Sequence, residues 1–583
     1  MVFLSEDRRG ARPLLRFRSL AVTPNAADLV ALVVVAAVIA LVAHGAAQMV
    51  RPIGEIAGVS SIRLDPARLP EYALRTTLRM FAALGASLLF TFIAATAAAK
   101  SRKAEMLIVP ALDVLQSVPV LGFLTFTVTF FLGLFPGSQL GAECASIFAI
   151  FTAQAWNMAF SMYQSLKTLP ADLDEVSRGF SLSPWRRFVR LELPFAIPAL
   201  IWNMMMSMSG AWFFVVASEA VTVGNTTFTL PGIGSWIALA VERRDLPSVG
   251  WAVGTMAVVI LLYDQLVFRP IVAWADKFRF EQTASQERPR SWVYDLVRRT
   301  RLVRWLATPL SWPARFMTSL DLPSRLPRVR TPAWARPNRD RVWIVLVVGL
   351  VAAGAWIIAD FFRKRFGPSD VLEVAMDGIL TLCRVLILIA VASLIWIPVG
   401  VWIGLRPIWA ERLQPVAQFF AAFPANVLFP GAVMLIVAWR LDPDIWLSPL
   451  MILGTQWYIL FNVIAGAAAL PTDLKESASL FKVTGWQWWR RLVLPAIFPY
   501  YVTGAITASG GSWNAAIVAE YVSWGRAHLE ARGLGSYIAR ATATGDFARV
   551  GLGVVAMSVF VVALNRSLWR PLFGFAERRL RIE

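Results

Sequence analysis

The sequence predicts an all-α polytopic membrane protein, built from two tandem, parallel-related repeats of about six transmembrane helices each. Three observations carry that prediction. Of 583 residues, 57% are hydrophobic and only 16% charged, whereas a soluble domain carries about 25% charged residues; mean hydropathy is +0.60. Apolar runs such as AADLVALVVVAAVIALVA (26–43) and VWIVLVVGLVAAGAWIIA (342–359) approach the ~20 residues that cross a bilayer. Finally, the two halves of the chain repeat each other position for position.

Spans are expected near 28–48, 74–98, 105–134, 144–164, 194–218 and 247–267, then near 342–360, 372–404, 413–437, 445–468, 495–519 and 548–567. The third contains Pro110 and Pro119 and should be broken or kinked. The repeat is in register. Trp156 pairs with Trp457, Pro170 with Pro471, Glu175 with Glu476, Pro194 with Pro495, Trp212 with Trp513, Glu219 with Glu520 and Asp245 with Asp546, each 301 residues apart. Arg79 and Arg384, Pro110 and Pro415, and Pro119 and Pro424 differ by 305, so four extra residues lie in the first half between Pro119 and Trp156. General helix similarity does not put polar residues and glycines in register; duplication does. Halves that start and end on one side are related by an axis along the membrane normal.

The domain reading follows: a basic N-terminus (1–27), a first membrane domain (28–270), an Arg/Trp/Pro-rich linker (271–341), a second membrane domain (342–571) and a basic C-terminus (572–583). The net charge of +19 does not point to nucleic acid, because its Arg clusters flank the membrane segments. That is the positive-inside bias of a multi-pass inner-membrane protein with both termini cytoplasmic. In the linker, SWVYDLVRRTRLVRWL (291–306) has the pattern of a helix lying on an anionic lipid surface, or of a solvated tether. Cys144 and Cys383 sit in apolar segments as small hydrophobes; no metal site, disulfide framework or cofactor is expected.

Two charged stretches interrupt the apolar pattern, DEVSRGFSLSPWRRFVRLELP (174–194) and KESASLFKVTGWQWWRRLVLP (475–495). Leu173, Val176 and Phe180 fall at helical spacing, as do Leu474, Ala478 and Phe481. Breaks follow at Ser183-Pro184 and Thr484-Gly485. Ser183 suits an N-cap with Pro184 in the first turn, and Thr484 with Gln487 fits a capping box. Each stretch therefore reads as helix, turn, helix, then Leu-Pro into a span: a cytoplasmic docking surface presented twice.

These stretches resemble the cytoplasmic signature of ABC importer permeases, in which a Glu-Ala-Ala is followed by a Gly six residues after the Glu and a Leu-Pro ending nineteen after it. Glu175 to Pro194 and Glu476 to Pro495 keep that length, but Ser181 and Lys482 stand where the pattern has Gly. Gly there would permit positive φ, which Lys does not adopt cheaply, so the turn is where a departure is expected. GAWFFVVASEAVTVGNTTFTLPGIGSWI (210–237) and GSWNAAIVAEYVSWGRAHLEARGLGSYI (511–538) resemble the nitrate/taurine/sulfonate branch, as do the Pro-rich segments 110–123 and 414–429. The resemblance covers both membrane halves and not the linker. It implies a type I importer-like fold, two ATPase subunits, identical or not, seated on Glu175, Ser181, Pro184, Pro194 and Glu476, Lys482, Gly485, Pro495, and a substrate-binding protein outside. It also implies a small solute, chiefly a small anion such as nitrate, sulfonate/taurine or bicarbonate, although that branch also handles some neutral heterocycles. The chain has no Gly-Lys dipeptide and so no phosphate-cradling Walker loop; it is not expected to hydrolyse ATP itself.

The alternative is an ion-coupled secondary transporter, which would carry ionisable residues inside the bilayer; Arg79, Arg384, Asp113 and Asp264 are the candidates, with pairing of the two arginines the blander reading. A membrane enzyme has little to work with, His44 and His528 being the only histidines. Glu219 and Glu520, about 25 residues past each Leu-Pro, should lie near the outer mouth beside Gly232, Gly234, Gly533 and Gly535. Each either accepts backbone N–H bonds from its Gly-rich turn or forms an outer gate, with Trp212, Trp513, Pro119 and Pro424 lining the path.

Overall fold

A computed structural model of the chain describes residues 62–136, 138–223, 226–278, 291–300, 335–525 and 527–579, with positions 40 and 43 besides. The expected span at 28–48, the basic N-terminus and most of the linker lie outside the described residues.

The first half begins with α1 (Leu69–Lys100), entered through a turn that Asp65 caps by accepting from Ala67 N at 3.1 Å. Ser101 breaks the chain and caps α2 (Arg102–Ser117). Pro110 is accommodated inside α2, and the expected break falls at Val118-Pro119, after which α3 (Val120–Leu134) runs. Then come α4 (Leu140–Lys167), α5 (Ala171–Gly179) and α6 (Pro184–Arg187). The long α7 (Leu193–Ser218) leads to a hairpin, β1 (Ala220–Val223) with β2 (Thr226–Thr229), followed by α8 (Ile233–Glu242), α9 (Leu246–Tyr263) and α10 (Arg269–Ala275). Asp245 caps α9, and its bonds from the Ser248 hydroxyl and N–H hold its carboxyl below the usual range. In the linker, α11 (Trp292–Arg299) is capped by Ser291.

The second half repeats this: α12 (Ala335–Arg365), α13 (Pro368–Gly404), α14 (Pro407–Ala422), α15 (Phe429–Ala438), α16 (Pro443–Trp446), α17 (Gln456–Ala468), α18 (Thr472–Leu480), α19 (Gly485–Trp488) and α20 (Leu494–Ala519). The hairpin β3 (Tyr521–Trp524) with β4 (Ala527–Glu530), then α21 (Leu534–Thr544), α22 (Phe547–Leu564) and α23 (Arg570–Arg579) complete it. From α5 and α18 onward, every helix and strand starts 301 residues after its counterpart.

Among the described residues, seven helices are long and apolar enough to cross a membrane, or eight if the bent pair Pro443–Met451 and Gln456–Ala468 is one span. The expected single span at 413–437 is instead broken at Phe423-Pro424, as its counterpart is at Pro119. The two hairpins depart from an all-helical reading. Their signal was a two-residue Gly-Asn or Gly-Arg turn between β-branched or aromatic residues, and Gly525 holds φ +60° at one of them.

Leu-Pro and Arg-Pro each have a structural reason. A proline inside a helix removes one N–H donor and crowds the preceding turn. Here each is preceded by a wider π turn: Phe188–Glu192 before Pro194, Asp264–Phe268 before Pro270, Trp489–Val493 before Pro495 and Asn565–Trp569 before Pro571. The helix therefore stays unbroken, and Pro184–Ser218 and Gly485–Ala519 are each continuous 35-residue rods, about 52 Å long.

The halves interlock. Helices α1, α4 and α7 pack as one layer and α13, α17 and α20 as another, while the broken segments cross over. Val120, Leu121, Leu124 and Val128 of α3 join the second half's core; Ala422 and Val427 join the first's. Two hydrogen bonds pin the crossover at equivalent places. Val120 N–H donates to Asn514 Oδ1 at 2.8 Å, and Asn426 Nδ2 donates to the Phe213 carbonyl at 3.1 Å.

Candidate functional site

Three features are built twice: a buried ion-pair cluster, a wall of a central cavity and an exposed helical segment.

The clusters lie where the long rods α7 and α20 end. Arg79 is fully buried. Its guanidinium pairs with Glu143 through Nε at 2.5 Å and Nη2 at 2.7 Å, and with Glu219 through Nη1 at 2.7 Å. Glu219 also accepts from the Thr76 hydroxyl at 2.6 Å and from Gly234 N–H at 2.6 Å. Thr76 in turn accepts from Ile233 N–H. The second half copies this with Arg384, Asp444, Glu520, Thr381, Gly535 and Leu534. Gly234 and Gly535 are required because a Cβ would collide with the Val216 and Ala516 carbonyls, and a Cβ at Gly232 or Gly533 would strike the Glu219 or Glu520 carboxylate. The two carboxylates thus accept backbone N–H bonds from their Gly turns, and the arginines supply the counter-charge that buried carboxylates need.

The copies are not equivalent. In the second, Asp444 replaces the longer Glu143, its side chain is 56% exposed, and Arg384 is 14% exposed against 0% for Arg79. Arg532, also exposed, extends the cluster by pairing with Asp377 at 3.1 Å. The corresponding first-half positions are Pro231 and Tyr72, and Tyr72 packs on Trp236. Sequence reasoning singled out the arginines and Glu219/Glu520 but missed Thr76/Thr381 and Glu143/Asp444. These keep the same 305 and 301 offsets, so the repeat itself held the signal.

A cavity of about 200 Å³ lies where the halves meet, lined by positions that correspond in the repeat, including Gln116 and Ala421, Asn157 and Tyr458, and Phe214 and Ala515. Pro119 and Pro424 do not line it; they are buried at the break, and it is their neighbours Val118, Val120, Phe423 and Ala425 that face the cavity. Trp212 and Trp513, expected along the path, are instead sealed in the two cores, against Tyr263 and Phe560. Glu219 and Glu520 also do not line it.

At the other end of the rods stand the charged stretches. Each folds as helix, turn, helix and span. Ser183 caps α6, accepting from Arg186 N–H, with Pro184 in the first turn. Thr484 stands at the N-cap of α19 but its side chain makes no cap bond, so the expected capping box does not form. Ser181 and Lys482 both adopt positive φ, 50° and 51°; the turn keeps the left-handed geometry that Gly would favour, and the two side chains bear its strain. Glu175 and Glu476 are exposed, beside exposed apolar residues: Val176 and Phe180 in one segment, Leu480, Phe481 and Trp486 in the other.

The segments are braced differently. In the first, a chain of charges runs from the end of α1 to α5: Lys100 to Glu192 at 2.8 Å, Glu192 to Arg187 at 3.0 Å, and Arg187 to Asp174 at 2.5 Å. The matching positions in the second half are Leu405, Val493, Trp488 and Lys475, of which the first three are packed in the hydrophobic core.

The signature of the binding-protein-dependent transport system inner membrane component family matches residues 87–269 and again 396–569. The chain belongs to that family, with the domain present twice. As an ABC transporter permease it is similar to several import permeases. Over 231 residues it is 26% identical to the nitrate import permease protein NrtB of Leptolyngbya laminosa, covering 40% of this chain and 77% of that one. Over 147 residues it is 31% identical to the bicarbonate transport system permease protein CmpB of Synechococcus elongatus, covering 25% and 51%. Over 163 residues it is 28% identical to the glycine betaine/proline betaine transport system permease protein ProW of Escherichia coli, covering 28% and 41%. The chain therefore spans about half or less of the last two relatives.

Proposed function

We propose that this permease forms the whole translocation pathway of an ATP-driven importer in one chain, with ATP hydrolysed on two separate ATPase subunits. One ATPase sits on α5–α6 around Glu175, the other on α18–α19 around Glu476, both in the cytoplasm, as the flanking arginines favour. A substrate-binding protein delivers a small solute at the opposite face. The observation that carries this reading is the continuity of each rod: the short helix that follows the docking turn, the π turn and the helix that walls the cavity are one 35-residue helix in each half. Movement of a docked ATPase is transmitted through such a rod without a hinge. Pairing of Arg79 and Arg384 with Glu219 and Glu520, and the Asp264–Arg269 pair at 3.1 Å, favour this over an ion-coupled carrier, because they occupy three of the four groups such a carrier would titrate; the Asp113 side chain lies outside the described residues.

The test is co-purification. Tagged permease should bring down an ATPase, and ATP hydrolysis in reconstituted liposomes should depend on the added binding protein and its solute. Transport that persists without any ATPase and follows an imposed ion gradient would instead establish the secondary carrier.

A further inference from the structure

Resting on the permease reading of the axial cavity, we infer that its solute is an uncharged, flat organic molecule with hydrogen-bonding edges, not an inorganic anion. Among the described residues, no Lys, Arg, His, Asp or Glu lines the cavity. A small anion entering it would give up water for a neutral wall with no counter-charge, the costliest kind of burial. The wall would oppose it further. Trp156, Phe213, Phe214, Phe423 and Tyr458 face the space, and the faces of aromatic rings carry negative potential.

The shape comes from how the repeat diverged. Along α7 the cavity meets Phe213 and Phe214; the corresponding residues of α20 are Asn514 and Ala515, next to Gly510 and Gly511. Along these two helices, α7 supplies aromatic faces and α20 a shelf of small residues, which leaves a slot that a planar molecule fills. Gly210 is part of that fit, since an added Cβ would lie 3.0 Å from the Tyr458 hydroxyl.

Polar groups in the wall are few, and some are unspent. Asn514 is committed to Val120 N–H and the Gly510 carbonyl. Thr507 and Ser209 bond back to their own helices. In contrast the Ser207 hydroxyl, on a residue only 4% exposed, has no partner among the described residues. Tyr458, 8% exposed, also lines the cavity. Asn157 accepts from Gln116 Nε2 at 3.2 Å and keeps its own amide donors for the cavity. A buried hydroxyl without a partner is uncommon; here it marks where a solute edge binds. Two hydroxyls and an amide suit an amide-like or heterocyclic edge, which both donates and accepts.

The test uses the full-length protein in nanodiscs, with nicotinamide, cytosine and benzamide as neutral planar probes and nitrate, bicarbonate and taurine as charged ones. Each is titrated to about 10 mM, above the ~1 mM upper end of common half-saturation values, with calorimetry and thermal unfolding as readouts. At least one neutral probe should bind saturably and raise the unfolding midpoint. Ser207→Val and Phe214→Ala should each weaken that binding about tenfold, while the charged probes match a sodium chloride control. The variants' own unfolding midpoints and retained ATPase association guard against misfolding, with Ser207→Ala as the gentler replacement. Saturable binding of nitrate or bicarbonate that the same substitutions abolish would overturn the inference, and so would silence from all three neutral probes. Either result with ATPase association intact contradicts only the solute class; absence of any associated ATPase contradicts the permease reading itself.

Discussion

Arg79 and Arg384 occupy one position of the repeat yet meet different surroundings. Arg79 and both of its carboxylate partners are sealed, so removing one member strands the others without water. Breaking a buried pair in this way costs about 3–5 kcal/mol. Arg384 also holds the buried Glu520, but it is itself partly exposed and its other partner Asp444 is half-exposed, so water can compensate part of its loss. Arg79→Ala should therefore lower the unfolding midpoint of the solubilised protein far more than Arg384→Ala; equal losses would mean that exposure does not set the strength of these clusters. Glu219→Gln should likewise reduce stability, and a variant with full stability but altered coupling would revive the gate role. The docking turn gives the opposite sign. Lys482 holds φ 51° on an exposed turn, so Lys482→Gly should stabilise by roughly 0.5–1 kcal/mol. A drop in stability would show that the Lys side chain carries more than the strain.

At the scale of elements, the two docking helices are held by different forces. The chain Lys100–Glu192–Arg187–Asp174 braces the first, and its outer members are partly exposed, so salt screens it. Apolar packing of Leu405, Trp488 and Val493 braces the second, which salt leaves intact. Glu192→Gln should loosen α5, seen as faster amide exchange there, with no change in α18; raised salt should act on the wild-type protein in the same direction. Equal protection of both helices under these conditions would refute the distinction. The sequence made these elements easy to find, because apolar runs, proline breaks and a fixed 301-residue offset are local or periodic signals. It did not reveal which partners Arg79 and Glu219 choose, because Glu143 is brought to them by packing of α1 on α4. Nor did it reveal that Trp212 and Trp513 face the cores: an interfacial Trp and a core Trp look alike in a chain this apolar. The cavity was hidden for a related reason, since it exists only because α3 and α14 cross into the opposite half.

For the whole molecule, fusion allows what a symmetric pair of permeases cannot do. The repeat supplies two equivalent frames, and divergence within one chain makes them unequal: one sealed and one open ion-pair cluster, one rod with aromatic and one with small residues on the cavity, one ionic and one apolar brace. Each wall of the cavity continues through a rod to its own docking turn, so the two ATPases would act on walls of different chemistry. The claim on which this account turns is that the chain carries two ATPase seats, one per half. It is tested most directly by counting ATPase subunits bound to purified permease, for the wild type, Glu175→Lys, Glu476→Lys and the double variant. Both acids are exposed and belong to no buried cluster, so all four proteins should fold alike. The account predicts two ATPases on the wild type, fewer on each single variant with unequal losses, and almost none on the double. A double variant that keeps its full complement and transports normally would contradict it.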